Sequence, residues 1–279
     1  MSENLKLFVH KGLVPLTINK FPAGESLVRI QSNGGYPDQR LFGMISLDFR
    51  DNGDLINLMM LVDAVRREFT QGIDLALNMH YLPYARQDRV CSPGESLSVK
   101  VVADLINSLN FTAVYCKDIH SGVGAALINN LRHIELNICA KKIATQFSRT
   151  NTVLVSPDAG ANKKVFDFAK EFGFQHVVRA DKVRDVLTGK IMETKVYSEH
   201  IGNKDMLILD DIFDGGRTFI ELAKELRKIT DGNIYLYITH GIFSKGLDVC
   251  EGVFDRVYCS NIMLDNWKRH NPGDVLIEV

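Results

Sequence analysis

The sequence predicts an α/β protein built from mostly parallel sheets flanked by helices and divided into two domains. Short β-rich runs alternate with longer amphipathic runs along the chain, the pattern of parallel strands joined by crossover helices. The order of elements over residues 7–120 resembles that over residues 152–260, and 279 residues are enough for two domains. We therefore expect an N-terminal domain over residues 1–145 and a C-terminal domain over residues 146–279.

Each predicted element follows from its apolar pattern. The short β-rich runs predicted as strands cover residues 7–10, 41–47, 73–79, 113–116, 152–156, 176–179, 206–209, 233–239 and 256–260. Helices are expected where apolar side chains recur every three or four positions, over residues 55–69, 98–109, 163–171 and 219–226. In an open parallel sheet, ligands bind at the carboxyl ends of the strands, so the residues that follow each run are candidates for chemistry.

Composition argues against several classes of function. Lys plus Arg total 33 against 34 Asp plus Glu, so the net charge of -1 offers no bulk attraction for nucleic acid. The five cysteines are scattered and lack the paired spacings of zinc sites or disulfide frameworks. The chain opens with Glu3 and Lys6 instead of a secretory segment, and no apolar run is long enough to span a membrane. We expect a cytoplasmic protein that binds neither nucleic acid nor membrane.

The segment LDDIFDGG, residues 209–216, ends an apolar run with acids and glycines. The glycines allow backbone N–H groups to turn toward an anion, and Thr218 can cap the helix whose positive end faces it. A phosphate fits this turn, whereas the acids suit sugar hydroxyls or a hydrated Mg²⁺. The segment therefore predicts a site for a phosphorylated sugar. Its candidate residues are Asp210, Asp211, Asp214, Gly215, Gly216, Arg217 and Thr218.

This turn resembles the phosphoribosyl diphosphate loop of type I phosphoribosyltransferases and of ribose-phosphate diphosphokinases. YARQDR, residues 84–89, is similar to a signature of the diphosphokinases that the transferases lack, which argues against a plain phosphoribosyltransferase. Further segments resemble that family in the same order, namely KDIHS (117–121), SPDAG (156–160) and RADKVR (179–184). The resemblance runs from about residue 7 to the C-terminus. It implies two similar domains, each with a type I phosphoribosyltransferase-like parallel sheet flanked by helices.

The resemblance also implies a role for each motif residue. The expected ATP-binding residues are Phe21, Glu25, Arg86, Gln87, Arg89 and His120. Guanidinium groups suit the polyphosphate because they grip phosphate oxygens in a fixed fork. His120 and Asp158 are expected to hold Mg²⁺. The expected catalytic residues are Lys182, Arg184, His120 and Asp214, with Lys182 and Arg184 stabilising charge on the β-phosphorus as the bond to AMP breaks.

The chain departs from the family pattern in two site segments. Ala23 stands where the family has an aspartate that helps read adenine, although Phe21 can still stack on a base and Glu25 can accept a hydrogen bond. Gly215 and Arg217 replace a threonine and a glycine of the phosphate turn. This change leaves space and adds a guanidinium, which could accommodate an extended 5-phosphate such as that of ADP-ribose. The alternative is local drift, with Arg217 pointing to solvent.

The sequence therefore predicts an enzyme that transfers the diphosphoryl group of MgATP to the anomeric hydroxyl of ribose 5-phosphate and releases AMP. One alternative is ADP-ribose as the acceptor, giving ADP-ribose 1-diphosphate for NAD salvage, as in viral relatives. Another is a non-catalytic regulatory paralogue, which predicts the loss of Lys182, Arg184 or His120, and all three are present. We expect small-molecule partners and a homo-oligomer, at least a dimer. The family's usual hexamer and ADP-regulated site are not assumed, because the chain stops at VLIEV, before the family's C-terminal helix.

Overall fold

The computed structural model describes residues 4–31, 41–184 and 191–279, apart from the side chains of residues 182–184 and 191–193. The predicted α/β class is confirmed, since parallel strands flanked by helices make up most of these ranges. Among the helices in the same ranges, none is both long and apolar enough to cross a bilayer.

The chain forms two compact units, Met1–Ile134 and Glu135–Val279. The boundary expected between residues 145 and 146 lies after two short helices, α4 (Leu136–Cys139) and α5 (Lys141–Ala144). Both helices bury apolar side chains in a core of the second unit, so the division precedes them. Their shortness explains the difference, because four residues are too few to show a helical period in the sequence.

The first unit contains a six-stranded sheet and a separate two-stranded hairpin within its described residues. Its strands are β1 (Leu5–Val9), β2 (Gly12–Val14), β3 (Leu16–Lys20), β4 (Ser26–Ile30), β5 (Leu41–Leu47), β6 (Ile73–Met79), β7 (Ala113–Lys117) and β8 (Leu131–Ile134). The order in the large sheet is β2-β1-β5-β6-β7-β8, and β3 pairs with β4. Strands β5 to β8 are parallel, so their carboxyl ends share one edge, whereas β1 is antiparallel to β2 and β5.

The helices of the first unit are α1 (Asn52–Glu68), α2 (Ser98–Ser108) and α3 (Gly122–Leu127). Helix α1 begins three residues before its apolar pattern, because Asp51 and Asp54 form a capping box in which each side chain accepts the backbone N–H of the other residue. Its buried positions Leu58, Leu61 and Val65 recur every three or four residues and pack into the core of the unit. Burial of each such side chain contributes about 1.5–3 kcal/mol.

The second unit contains a seven-stranded sheet in its described residues, with the order β11-β10-β9-β12-β13-β14-β15. Its strands are β9 (Thr152–Ser156), β10 (His176–Arg184), β11 (Ile191–Val196), β12 (Asp205–Phe213), β13 (Ile234–Gly241), β14 (Arg256–Ile262) and β15 (Leu276–Glu278). Helices α6 (Asn162–Phe172) and α7 (Arg217–Leu226) follow β9 and β12, and short 3-10 turns occupy Asp248–Cys250, Trp267–Arg269 and Pro272–Asp274. Neighbouring strands are parallel except β10 and β11.

The central strand β12 is buried on both faces. Met206 and Ile208 belong to one apolar cluster of the second unit, and Leu207 and Leu209 belong to another. A strand covered on both faces reads as a continuous apolar run, which is why the sequence pattern located it. This burial fixes the position of β12, the strand that leads into the acidic turn.

Several strands extend beyond their predicted ends, β10 and β12 by the most residues. Strand β12 was expected to end at residue 209, but it continues through Asp210 and Asp211 to Phe213 because β13 pairs with it over this length. Strand β10 was expected to end at residue 179, but it includes RADKVR, and Lys182 lies opposite Thr194 of β11. Both extensions depend on pairing with another strand, β13 for β12 and β11 for β10, which the apolar pattern of a single segment does not reveal.

Candidate active site

The acids of the second unit lie at the carboxyl ends of two adjacent parallel strands. Asp158 follows β9, while Asp210 and Asp211 lie near the end of β12, and β9 pairs directly with β12. Because the ends of parallel neighbours share one edge of the sheet, the topology brings these acids together. Asp214 is the first residue after β12 and is partly buried.

The carboxylates affect one another strongly. The pKa of Asp210 lies well above its usual value, because desolvation disfavours the charged form and the negative charges of Asp211 and Asp158 add to that effect. Asp210 Oδ1 accepts the backbone N–H of Asp211 at 2.9 Å. Asp211 is buried, and Lys164 Nζ lies 3.8 Å from Asp211 Oδ2, which favours the charged form of that carboxylate. The repulsion between these carboxylates favours the binding of a proton or a cation beside them.

Asp158 is held by the turn that opens α6. Its Oδ1 accepts the N–H groups of Gly160 at 3.0 Å and of Ala161 at 3.2 Å. The Ser156 hydroxyl donates to the carbonyl of Asp158 at 3.0 Å. These bonds orient the carboxylate and compensate part of its desolvation, since a carboxylate that accepts backbone N–H bonds is favoured in its charged form.

The glycine turn after β12 leads directly into α7. Gly216 has φ 77°, and a Cβ at this position would lie 2.5 Å from Cζ of Phe213, so both backbone conformation and space require glycine. Gly216 is also the N-cap residue, and no side chain among the described residues caps the helix. The expected capping role of Thr218 is therefore wrong, because Thr218 is the second helical residue. The helix leaves its first N–H groups and the positive end of its dipole for an anion.

The arginines of the first unit lie in the loop after β6. Arg86 and Gln87 line an open cleft of about 610 Å³ together with Phe49, Arg50, Asp51, Asn52, Tyr81 and Tyr84. Tyr84 has φ 62°, and its hydroxyl donates to Asn52 Oδ1 at 2.6 Å, which joins the loop after β6 to the start of α1. The cleft therefore combines guanidinium groups with aromatic side chains at the carboxyl edge of the sheet.

The other residues predicted to bind ATP are not part of the lining of this cleft. Arg89 is exposed, and its Nε donates to Asp88 Oδ1 at 3.1 Å. Phe21 and Glu25 belong to the tip of the β3–β4 hairpin, where the Phe21 N–H donates to the Glu25 carbonyl at 2.8 Å. Phe21 is 52% exposed, which leaves its ring available to stack on a base.

His120 lies in the loop after β7, and Asp88 connects this loop to the YARQDR segment. Desolvation raises the pKa of Asp88, but hydrogen bonds from Ser121 and Arg89 and the nearby His120 together place that pKa below its usual value. His120 itself is exposed, and Ser121 caps α3 through its hydroxyl, which accepts the Gly124 N–H at 3.4 Å. Asp88 was not singled out from the sequence. Its only sequence signal was membership of the YARQDR motif.

Comparison with known proteins decides the family. A relative from Rhizobium meliloti named ribose-phosphate pyrophosphokinase is 32% identical over 248 residues, which span 88% of this chain and 78% of the relative. This chain belongs to the ribose-phosphate pyrophosphokinase family. The family model for the N-terminal domain of ribose phosphate pyrophosphokinase matches residues 1–109. A Pyrococcus abyssi member is 28% identical over 240 residues, covering 85% of this chain and 80% of that protein.

A solved structure supports the fold. The crystal structure of phosphoribosylpyrophosphate synthetase from Mycobacterium smegmatis superimposes with a TM-score of 0.78 at 21% identity, covering 96% of this chain and 86% of that chain. The relatives of 30% identity or more confirm the predicted resemblance to the pyrophosphokinase family. The comparisons give no support to the alternative ADP-ribose acceptor, because the relatives are named for ribose phosphate.

The catalytic and metal residues expected from the resemblance stay predictions. Lys182 and Arg184 lie on β10, but their side chains fall outside the described set. His120 belongs to the first unit and Asp158 to the second. Within residues 4–31, 41–184 and 191–279, no three His, Cys, Asp or Glu side chains are grouped to hold one metal ion.

Two further polar groups at strand ends were missed by the sequence reasoning. His80 Nδ1 lies 2.9 Å from Asp48 Oδ1, and these residues follow β6 and β5 at the edge that carries the cleft. The hydrogen bond with His80 lowers the pKa of Asp48 despite desolvation. In the second unit, Lys164 near Asp211 was also missed. Each lies on a strand end or a helix face where a single polar residue gives no distinct pattern.

Proposed function

We propose that this pyrophosphokinase family member transfers the β,γ-diphosphoryl group of ATP to the 1-hydroxyl of ribose 5-phosphate and releases AMP. The observation that carries the proposal is the acidic cluster of Asp158, Asp210 and Asp211 beside an uncapped helix and a glycine turn. Carboxylates accept hydrogen bonds from sugar hydroxyls, and the start of α7 suits the 5-phosphate. The names of the relatives support the same acceptor.

In this reaction the anomeric oxygen attacks the β-phosphorus of ATP as its proton leaves. The bond between the β-phosphorus and the oxygen that bridges to the α-phosphate breaks, and AMP departs with the bonding electrons. In our proposal Asp210 and Asp211 orient the ribose hydroxyls, and Asp214 lies beside the turn that holds the phosphate. Orientation of the attacking oxygen is a large part of catalysis in phosphoryl transfer, because the protein performs little covalent chemistry.

Mg²⁺ fits the acids of the second unit by the chemistry of its donors. It is commonly held by one or two carboxylates together with water and substrate phosphate, so a three-ligand protein cage is not needed. The mutual repulsion that raises the pKa of Asp210 is the kind of charge that a cation relieves. We propose that Asp158 binds Mg²⁺ in the second unit, and that His120 helps to hold the Mg²⁺ of MgATP in the first unit. When bound, the ion supplies positive charge to the oxygens of ATP.

On the donor side we propose that Arg86 and Gln87 bind the polyphosphate, with Arg89 nearby. Both guanidiniums are exposed and can pair with phosphate oxygens in a bidentate manner. Phe21 and Glu25 would read the base. Lys182 and Arg184 would stabilise the charge that develops on the transferred group, and positioned cations contribute most where water is excluded.

Incubation of the purified chain with ATP, Mg²⁺ and ribose 5-phosphate tests the proposal. We expect release of AMP in equal amount to phosphoribosyl diphosphate, and neither product without the acceptor. A matched reaction with ADP-ribose tests the alternative acceptor. Faster AMP release with ADP-ribose would make it the preferred acceptor in place of ribose 5-phosphate. No turnover with either acceptor would support a regulatory paralogue.

The acceptor test is sharpened by Arg217→Gly, which restores the residue expected from the family. Arg217 is exposed at the first position of α7. We expect both reactions to change by less than about threefold if Arg217 faces solvent. A selective loss of the ADP-ribose reaction would instead assign Arg217 to an extended diphosphate.

Assembly and location belong to the same proposal. We propose a homo-oligomer of at least two chains acting in the cytoplasm. Light scattering on the purified chain measures its mass directly, and a monomer at assay concentration would contradict the first point.

A further inference from the structure

Lys245, in the loop after β13, lies against the phosphate turn. A Cβ built on Gly215 would lie 3.4 Å from Cε of Lys245, 3.5 Å from Cδ and 3.8 Å from Cγ. Three successive carbons of the lysine therefore lie beside Gly215, where a Cβ on that residue would make ordinary van der Waals contacts with them. The side chain is exposed, yet its aliphatic part follows the turn.

The loop that carries Lys245 is anchored on the same residue as the turn. The N–H groups of Ile242 and Phe243 both donate to the carbonyl of Phe213, at 2.8 and 3.3 Å. The rings of Phe213 and Phe243 have centroids 4.9 Å apart, and Phe243 is buried. Phe213 also sets the space for Gly216. One buried aromatic residue thus positions both the turn and the lysine loop.

Charge explains why a cation at this position matters. The turn follows Asp210, Asp211 and Asp214, and their carboxylates repel a phosphate that approaches α7. The dipole of one helix offers about half a positive charge, which is less than the charge of a phosphate ester. Lys245 forms no ion pair with a carboxylate in the described part of the chain, so its ammonium is available.

We propose that Lys245 binds the 5-phosphate of the acceptor at the turn beside Gly215. This role rests on the proposed function, because it assumes that the turn holds a phosphorylated sugar. The proximity of the lysine stem to Gly215 places the ammonium group within reach of an anion bound at the turn. Lys245 is therefore a specificity-determining residue for phosphorylated over free sugar.

The test compares Lys245→Met, which keeps an unbranched stem and removes the charge, with Lys245→Arg. The matched control is Lys224→Met, an exposed lysine of α7 whose ammonium pairs with Glu221 in the same unit. We expect Lys245→Met to raise the KM for ribose 5-phosphate about tenfold, with kcat and the KM for ATP within about twofold. Lys245→Arg retains most of the affinity, and Lys224→Met resembles the wild type.

Ionic strength separates a charge role from a structural one. The KM of the wild type for ribose 5-phosphate should rise with added salt more steeply than that of Lys245→Met. Salt screens the attraction between the Lys245 ammonium and the phosphate, which the variant lacks. An unchanged KM in Lys245→Met, or equal salt dependence in both proteins, overturns the role of Lys245 while the proposed function stands. Failure of the wild type to use ribose 5-phosphate at all overturns the proposed function and this role with it.

Discussion

The two units place polar residues at equivalent edges of their sheets, but they differ in charge and burial. In the first unit, Arg50 and Arg86 line an open cleft and are exposed. In the second unit, Asp211 is buried and Asp210 is partly buried beside it. Two units of similar architecture therefore carry different charges, with cations at the proposed ATP site and carboxylates at the proposed sugar site.

The comparison shows how each site is stabilised. Exposed guanidiniums cost little, because water solvates them in the absence of ligand. The acids cost free energy of folding because desolvation and mutual repulsion disfavour their charge. The protein offsets that cost with Lys164 and with the backbone N–H groups that bond Asp158. The second unit therefore depends more on exact backbone geometry, and substitutions should affect the two units differently.

The largest expected effect is a loss of catalytic rate when Lys182 or Arg184 of β10 is substituted. We expect Lys182→Ala and Arg184→Ala each to lower kcat by about 100- to 1000-fold while the KM for ATP changes by less than about fivefold, because their contacts develop in the transition state. Steady-state kinetics with varied ATP measures both constants. A variant that keeps near wild-type kcat would remove that residue from the catalytic set.

The glycine turn offers a matched pair of substitutions. Gly216→Ala should lower the free energy of unfolding by about 2–4 kcal/mol, because it combines left-handed backbone with a 2.5 Å contact to Phe213. Gly215→Ala should cost less than about 1 kcal/mol, since its Cβ would meet only ordinary contacts with Lys245. Chemical denaturation measures both. Equal stability of the two variants would show that the turn accommodates a side chain at Gly216 as readily as at Gly215.

Substitution in the cleft should affect binding of one substrate only. We expect Arg86→Ala to raise the KM for ATP about tenfold to a hundredfold and to leave the KM for ribose 5-phosphate nearly unchanged. Arg67→Ala is the matched control, because this exposed arginine of α1 pairs with Asp63 in the same unit. A parallel rise in both KM values would mean that Arg86 acts on the whole site.

The smallest expected effect is the pH dependence of stability from Asp210. Its pKa is raised in the folded state, so the folded protein holds the proton more tightly, and stability falls as pH rises from the ordinary pKa of about 4 through the raised value. Asp210→Asn should therefore be more stable than the wild type at neutral pH without Mg²⁺ and lose that advantage in acid. Denaturation at a series of pH values checks this. A constant difference at every pH would show that desolvation of Asp210 is not linked to folding.

Much of the candidate site was predictable because its residues follow apolar runs. The acids after residue 209 were expected from that position, and the arginines after residue 79 from the resemblance of their segment to the diphosphokinases. The relatives confirm the family, while the roles of these residues stay predictions. The position of Asp88 against Ser121 was not predictable, since it joins two loops that meet only when β6 and β7 pair. The contact of Lys245 with Gly215 has the same origin, because β12 must first pair with β13.

The sequence by itself determined the α/β class and the motif residues, because both are encoded locally in the apolar period and in short segments. Only the tertiary structure decided where β10 and β12 end, where the two units divide, and which charges face one another. These features depend on pairing between segments far apart in the chain. A strand gains its backbone hydrogen bonds from such partners, so its length and its neighbours are settled only when the sheet assembles.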